Sequence, residues 1–432
     1  LIQSYDVLII RGGMVGLSIT HQLLEQDITH GICMIDKSQS WVFTALAEYW
    51  LPTHWALLQT WLNQSKGLRD RHQAPPGLEE EQNLTNQSLW EVIVPQRLDL
   101  DDQLDLLAGR GQVNEAQLEL LDTQQLFELI PEANSISGRS LWSPNTAVVK
   151  PIKVVATLQR KLKQRGVRFL NNNKTDLQFR AETNKAEFED DLISDGHLFN
   201  CPGLQADRVT HQFASATNQT AALQGSLLTT QNQLPNPTTP NLYAVPDLSV
   251  PFLEVLFTPS AETNPLVSIG TKQLPLGGEE LLRAKNFRVR NSFSQSLAAH
   301  ASISKQSRWL LSLTHEQAFR AFQPLLGGTQ QQITSVQDKH LEPRQKVGIH
   351  SLLFNHNTQH LEDDFICLPV PNSTHVLNAI SQAFTASFTL ADLILEDLAF
   401  SNQTSHEFAH SALLLAAGLG TRLRPLTNHT PK

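Results

Sequence analysis

Alternating apolar and polar segments divide the amino-terminal part of the chain into a strand, a helix and a second strand. The run Val7 to Ile10 is wholly apolar, as in a strand that is buried on both faces of a parallel sheet. Apolar residues from Leu17 to Leu24 recur at helical spacing, so this helix would pack back onto the strand. A second apolar run, Ile32 to Ile35, ends at the acid Asp36. The order predicts a β-α-β unit.

The rest of the chain continues this pattern. Residues 41–90 show no clear period and favour a helix followed by a loop. Residues 220–275 favour antiparallel strands. The other predicted strands are Val92–Val94, Val167–Leu170 and His197–Cys201, and the other predicted helices are Asp99–Leu107, Thr123–Ile130, Ile152–Gln164, Leu204–His211, Ser294–Arg308, His315–Phe322 and Ala383–Leu398.

The turn after the first strand has the chemistry of a dinucleotide cradle. It reads Arg-Gly-Gly-Met-Val-Gly from residue 11, which is G-x-G-x-x-G with arginine at the first glycine position. In this frame Gly13 lets the backbone approach a pyrophosphate, Gly16 allows close helix packing, and Asp36 accepts hydrogen bonds from ribose hydroxyls. The Arg11 side chain would crowd the pyrophosphate, while its charge would pair with phosphate. An ordinary strand-turn-helix is the alternative at this point.

Composition excludes some classes of protein. The chain has 432 residues, 40% of them apolar, which is typical of two or three globular domains. A net charge of −9 without basic clusters argues against nucleic acid as a partner. Cys33, Cys201 and Cys367 lack the spacing of metal ligands and fit buried thiols in a reducing compartment, so we expect no metal site and a cytoplasmic location. No apolar run reaches the roughly 18 residues of a membrane helix, although peripheral membrane association stays open.

Several separated segments resemble the L-2-hydroxyglutarate dehydrogenase/oxidase group of flavoproteins, within the D-amino-acid-oxidase-like superfamily. The resemblance covers most of residues 5–398 and keeps the order of segments in that group. It is carried by Leu-Trp-Ser-Pro-Asn-Thr-Ala-Val-Val from residue 141, Pro-Ile-Lys-Val-Val from 151, Leu-Phe-Asn-Cys-Pro-Gly-Leu-Gln-Ala-Asp-Arg from 198, Asn-Leu-Tyr-Ala-Val-Pro-Asp from 241, Pro-Phe-Leu from 251, Lys-Val-Gly-Ile from 346 and Pro-Asn-Ser-Thr-His-Val-Leu-Asn-Ala-Ile-Ser from 371.

The resemblance implies an FAD bound in extended form, and a set of residues around it. Gly12, Gly13 and Gly16 would lie at the pyrophosphate, Asp36 at the adenosine ribose and Gly203 near the phosphates. A loop from Asn372 to Ala379 would close over the flavin ring, and the flavin contacts implied there are His375, Val376, Leu377 and Asn378. The reaction implied is oxidation of a small-molecule 2-hydroxy acid to the 2-oxo acid, with the electron acceptor left open.

The fold class expected from pattern and resemblance together is α/β. A Rossmann-like FAD-binding domain would comprise residues 1–40, 145–215 and 345–400. An interleaved mixed α+β substrate domain, dominated by an antiparallel sheet, would comprise residues 41–144 and 216–344. No catalytic residue is assigned.

Departures from the family pattern favour a flavin domain with impaired or absent activity. Where the family has a small-residue loop with a histidine, this chain has an aromatic stretch from Trp41 to Trp50. Leu256 stands where histidine is typical, His350 where arginine is usual, and Lys150 where the family has an acid. Each replaced residue type has a chemical task, such as capture of a dicarboxylate by arginine.

The end of the chain resembles the start of a sugar-phosphate nucleotidyltransferase, over residues 411–432. The stretch Ala-Ala-Gly-Leu-Gly-Thr-Arg-Leu-Arg-Pro-Leu-Thr from residue 416 is followed by a closing Pro-Lys. Backbone amides at Gly418, Gly420 and Thr421 would cradle a triphosphate, and Arg422 and Lys432 would neutralise its charge. About twenty residues cannot form a core of their own. Residues 399–410 would then be a linker.

Three other functions stay open beside the oxidoreductase. The flavoprotein part would be a vestigial module of a nucleotide-sugar pyrophosphorylase, or a scaffold without catalysis. A glycine-oxidase-type activity on an amino acid is a variant within the same superfamily.

Overall fold

The structure is a computed structural model that describes the chain in segments. The described residues are 2–28, 31–36, 87–113, 117–148, 151–171, 178–180, 185–188, 191–201, 203, 206–213, 218–230, 241–245, 256–259, 267–276, 341–343, 349–355, 357, 360–362, 365–379, 384, 386–403 and 413–414.

These segments contain the following strands and helices. The strands are β1 (Ile2–Ile10), β2 (Ile32–Asp36), β3 (Gln87–Val94), β4 (Glu119–Leu121), β5 (Ser140–Val148), β6 (Arg168–Asn171), β7 (Gln178–Arg180), β8 (Lys185–Phe188), β9 (Asp191–Asn200), β10 (Asn218–Thr230), β11 (Asn241–Ala244), β12 (Leu256–Pro259), β13 (Val267–Leu276), β14 (Leu341–Pro343), β15 (Ile349–Asn355), β16 (His360–Glu362), β17 (Ile366–Val370), β18 (Ser373–Asn378) and β19 (Leu413–Leu414). The helices are α1 (Met14–Glu25), α2 (Asp102–Val113), α3 (Thr123–Leu129), α4 (Pro151–Gln164), α5 (Ala206–Thr210) and α6 (Ser387–Gln403).

The predicted β-α-β unit is present, and it lies in the middle of a mainly parallel sheet. The strand order is β19-β17-β18-β9-β1-β2-β6, with the β7-β8 hairpin attached to β9. Strands β18, β9, β1, β2 and β6 run parallel. Helices α1, α4 and α6 bury their apolar residues against one face of this sheet, among them Leu17, Leu158 and Leu390. A mainly parallel sheet covered by helices is an α/β layer.

The second sheet is mainly antiparallel, as predicted for residues 220–275. Its strand order is β16-β15-β10-β13-β12-β11-β3-β5-β4, with β14 attached to β10. Only the pairing of β11 with β3 is parallel among its described pairs. Leu104 of α2 packs with Ile93 on one face, while Leu126 of α3 packs with Val92 on the other. The predicted α/β class, with one mainly parallel and one mainly antiparallel sheet, is therefore confirmed.

Three features differ from the sequence prediction. The segment predicted as a loop from Asn372 to Ala379 contains the buried strand β18, so that prediction is wrong. The loop was implied by the family resemblance, whereas the polar side chains of this segment make their hydrogen bonds inside the protein as part of the strand. Helix α6 continues to Gln403, past the start of the linker that was expected from residue 399. Strands β15 and β16 belong to the second sheet, although the domain boundary was predicted at 345; the division into domains stays a prediction.

In the described part of the chain, no helix combines the length and the apolar character that a membrane span requires.

Candidate functional site

The turn between β1 and α1 keeps the shape of a glycine turn although its first glycine position holds Arg11. The φ of Arg11 is 71°, in the left-handed region that favours glycine. Its backbone N–H donates to the carbonyl of Ile35 at 2.8 Å. A Cβ atom placed on Gly16 would lie 2.5 Å from the Arg11 carbonyl oxygen, so only glycine allows the helix to approach the turn this closely.

The first turn of α1 presents backbone amides that no side chain caps. Gly13 is the N-cap residue, and neither a capping side chain nor an acidic residue is found in the first turn. The first amides of a helix have no acceptor within the helix and lie at the positive end of its dipole. This helix terminus is therefore suited to an anionic group such as a pyrophosphate.

Asp36 ends β2 and turns its carboxylate towards the same turn. The residue is buried, and its Oδ2 accepts a hydrogen bond from the Gly12 N–H at 3.1 Å. Its Oδ1 lies 3.7 Å from Nη1 of Arg11. A carboxylate in this position can accept hydrogen bonds from ribose hydroxyls, and here it already interacts with two groups of the turn.

The other glycine turn lies at the same edge of the sheet. Ile10 is the register partner of both Ile35 and Asn200, so the parallel strands β1, β2 and β9 end together. The Cys201 N–H donates to the Ile10 carbonyl at 3.1 Å, and Gly203 follows with a φ of 58°. The structure thus brings together five predicted site residues, which are Gly12, Gly13, Gly16, Asp36 and Gly203.

The backbone of these residues fits the adenosine and pyrophosphate part of a dinucleotide. The absent Cβ of Gly16, the uncapped helix and the carboxylate at the end of β2 are what this part of a dinucleotide needs. The Arg11 side chain is the one departure at this edge of the sheet among the described residues, because it adds a guanidinium beside the carboxylate.

His375 lies in a buried hydrogen-bond network between β18, β9 and α5. Asn200 Nδ2 donates to His375 Nδ1 at 2.9 Å, and Asn200 Nδ2 also donates to the carbonyl of Ala206 at 3.2 Å. Thr210 Oγ1 lies 3.2 Å from the same Nδ1, and Ser373 Oγ lies 3.0 Å from Nε2. Both ring nitrogens therefore have partners inside the protein. A contact between His375 and a flavin stays a prediction.

Burial keeps this histidine neutral. Removal from water lowers the pKa of His375 to about 4, and the nearby His197 adds to the effect. Burial also lowers the pKa of His197 to about 4, and its Nε2 lies 3.1 Å from Thr374 Oγ1. Two neutral imidazoles on adjacent strands thus contribute hydrogen bonds rather than positive charge.

The remaining residues predicted on this segment are also buried. Val376 belongs to the main core, and Leu377 packs with Leu353 and Ile366 where the two sheets meet. Asn378 donates to the Glu362 carbonyl at 3.1 Å. Because His375 pairs with Asn200 in parallel register, the carboxyl end of β18 extends beyond the end of β9 at the edge that carries Gly203.

Some sequence predictions fall outside the described residues. Leu256 begins β12 and His350 lies on β15, but their side chains are not described. The other residues concerned are Lys150, the aromatic stretch 41–50, and the nucleotidyltransferase residues Gly418, Gly420, Thr421, Arg422 and Lys432.

Sequence reasoning missed several buried polar residues. Asn200 and Thr210 were not singled out, although Asn200 interrupts an apolar strand and is part of the segment that carries the resemblance. In the second sheet Glu91 is 1% exposed and its register partner on β11 is the fully buried Asn241. Among the described residues, no hydrogen-bond partner lies near Glu91 Oε2 or either amide atom of Asn241. Glu91 directly precedes the predicted strand Val92–Val94, and an acid at that position was the available signal.

Comparison with protein families gives a match over most of the chain. The family described as DAO, FAD dependent oxidoreductase, matches residues 6–362. The mitochondrial L-2-hydroxyglutarate dehydrogenase of Caenorhabditis elegans is 25% identical over 275 residues, which cover 59% of this chain and 61% of that protein. The protein of the same name from Caenorhabditis briggsae is 23% identical over 276 residues, with 59% and 61% covered. The matched region thus spans about three fifths of the length of these relatives.

Solved structures share the fold at low sequence identity. The L-alpha-glycerophosphate oxidase of Mycoplasma pneumoniae, solved with FAD bound, has a TM-score of 0.63 and 14% identity, over 92% of this chain and 95% of that chain. Glycine oxidase from Geobacillus kaustophilus has a TM-score of 0.62 and 13% identity, over 95% of this chain and 97% of that chain.

Proposed function

This chain belongs to the DAO family of FAD-dependent oxidoreductases, and from this membership we propose that it oxidises a 2-hydroxy acid of the L-2-hydroxyglutarate type to the 2-oxo acid. The observation that carries the proposal is the meeting of the Arg11–Gly16 turn, Asp36 and Gly203 at one sheet edge, within the region that the family covers. The names of the curated relatives support the substrate class.

The cofactor's adenosine end would be held by the chain's first β-α-β unit. The amides of the first turn of α1 would bind the pyrophosphate, and Asp36 would accept from the ribose. Glycine at position 16 keeps the helix close enough for the amides to reach. When bound, a flavin would accept the hydride that leaves the substrate carbon.

The buried network around His375 has a supporting role in this proposal. Its hydrogen bonds join β18 to β9 and α5, so the edge that carries Gly203 and the end of β18 are held in register. A neutral imidazole with both nitrogens bonded is poorly suited to carry a proton between substrate and solvent. We therefore assign it to positioning.

The departures from the family pattern predict a slow enzyme or one without turnover. The residues concerned are the aromatic stretch from Trp41, Leu256, His350 and Lys150. The electron acceptor stays open, and peripheral membrane association and the cytoplasmic location stay predictions. The nucleotidyltransferase resemblance is likewise a prediction for the end of the chain, and no observation on the described residues favours it as the main function.

Purification and anaerobic titration test the proposal. The purified chain is denatured to measure released FAD, and the reconstituted protein is mixed with L-2-hydroxyglutarate without oxygen. We expect bound FAD and slow bleaching of the flavin absorbance, with D-2-hydroxyglutarate and glycine as controls that leave it unchanged. Bleaching by glycine alone would favour the amino-acid oxidase variant. Bound FAD that no hydroxy acid bleaches would favour the scaffold.

A further inference from the structure

The Arg11 side chain competes with the adenosine ribose for Asp36. The backbone of Arg11 cannot give way, because its N–H donates to Ile35 and its carbonyl oxygen is packed against Gly16. Its guanidinium lies 3.7 Å from Asp36 Oδ1, with side-chain exposures of 24% for Arg11 and 9% for Asp36. The pair is thus partly shielded from water. An ion pair in such a position is less screened than one at the surface.

The other oxygen of Asp36 is also occupied. Oδ2 accepts the Gly12 N–H at 3.1 Å, and this bond holds the carboxylate against the turn. A ribose hydroxyl is neutral, so it is a weaker partner for the carboxylate than the guanidinium. To bind, the ribose must approach Oδ1 at the position where the charged group interacts.

We propose that Arg11 sets the affinity of this chain for FAD, by pairing with Asp36 and thereby opposing the adenosine end of the cofactor. The inference rests on the proposed function, since it assumes that FAD is the ligand of this edge. FAD enters when the Arg11 side chain rotates away from Asp36. FMN lacks the adenosine, so it does not meet this competition.

The proposal predicts a specific order of affinities among variants at position 11. Arg11→Gly removes the positive charge and also the strain of a non-glycine residue at a left-handed φ. Arg11→Asn removes the charge and places there a residue that tolerates this φ. Both should bind FAD about tenfold more tightly than the parent chain, a modest free-energy change. Arg11→Lys keeps the charge and should stay close to the parent.

The test is a titration of the flavin-free full chain and the three variants with FAD. Quenching of the flavin fluorescence measures the binding. FMN is titrated in parallel, and its affinity should not change with the residue at 11. The FAD advantage of Arg11→Gly over the parent should shrink in 1 M salt, where the Debye length falls to about 3 Å.

Each result decides between outcomes. Tighter FAD binding by the Gly and Asn variants alone supports the proposal. With FAD still bound by the parent, equal binding by the variants overturns the proposal because Arg11 then has no effect on affinity, and weaker binding overturns it and indicates that Arg11 contacts the phosphates. The proposed function survives in both cases. Absence of FAD binding in the parent and in all variants overturns both. Circular dichroism of each variant confirms that the comparison is made on folded chains.

Discussion

Asn200 Nδ2 and His375 Nδ1 lie 2.9 Å apart, and this bond fixes the protonation of the imidazole. An amide nitrogen is a donor, so Nδ1 must be an acceptor, and the proton of the neutral ring is assigned to Nε2, which donates to Ser373 Oγ. A second ring proton would point an N–H at the Asn200 N–H. Geometry and burial therefore both favour the neutral ring.

This relationship predicts loss of stability in acid. The pKa of His375 is lowered to about 4 from 6.5, so between these values the unfolded chain binds a proton that the folded chain excludes. The contribution of His375 to stability should fall as the pH drops through this window, by up to about 1.4 kcal/mol per pH unit, and stay constant above it. His375→Gln should lose that slope and cost about 1 to 3 kcal/mol at neutral pH. Urea unfolding across the pH range measures both effects.

A matched control is the histidine that directly follows helix α5. His211 is exposed, so His211→Gln should leave both the stability and its pH slope unchanged. If His375→Gln kept the acid slope of the parent chain, the assignment of a neutral imidazole would fail.

Glu91 should behave in the opposite sense. Burial raises its pKa well above the ordinary 4.5, so above pH 4.5 the folded chain retains a proton that the unfolded chain releases. This contribution to stability is fully present below 4.5 and is lost as the pH rises. Glu91→Gln cannot ionise, so its stability relative to the parent should rise as the pH increases above 4.5, with the gain vanishing in acid.

The control for Glu91 is an acid in the same sheet. Glu119 on β4 is exposed, and Glu119→Gln should shift the urea midpoint little at any pH. A constant difference between Glu91→Gln and the parent across the pH range would contradict the buried neutral acid.

Local sequence pattern was enough for the first β-α-β unit and for α4, but not for β18. Helix α4 was predicted as Ile152–Gln164 and is Pro151–Gln164, because its apolar face and the closing Gly166, with a φ of 91°, are local signals. In β18 the family resemblance implied a loop from Asn372 to Ala379, and local pattern did not correct it. His375 bonds Asn200 and Thr210 and Thr374 bonds His197, all far away in sequence, so only the folded sheet shows that these polar groups are satisfied.

The candidate site shows the same difference between what local sequence predicts and what only the folded structure shows. Gly13, Gly16 and Asp36 were assigned from spacing, since a strand-turn-helix fixes their relative positions. The pairing of Arg11 with Asp36 depends on how a long side chain rotates in a turn with positive φ, and spacing alone does not determine that rotation.

The cysteines should be unreactive in the folded chain. The prediction of buried free thiols is confirmed, with exposures of 0% for Cys33, 8% for Cys201 and 2% for Cys367. Burial raises the pKa of Cys33 to about 12 from 9.0, which lowers its thiolate fraction about a thousandfold. We expect a thiol reagent to label the native chain over hours and the urea-unfolded chain at once. Rapid native labelling at Cys33, located by peptide mapping, would contradict this packing.

Gly16 and Gly109 form a matched pair of helical glycines with opposite expected responses to alanine. A Cβ at Gly16 would meet the Arg11 carbonyl oxygen at 2.5 Å and Ile9 Cγ2 at 3.1 Å, and a backbone oxygen held by the turn cannot move aside cheaply. Gly16→Ala should therefore cost about 1 to 3 kcal/mol and weaken FAD binding, because α1 is pushed away from the turn. At Gly109 in α2 an added Cβ has nothing within 4 Å, so Gly109→Ala should gain about 0.5 to 1 kcal/mol from helix propensity and leave FAD binding unchanged. Urea midpoints and FAD titrations of both variants measure these effects. If Gly16→Ala left the stability unchanged, the helix would not approach the turn as closely as the structure shows.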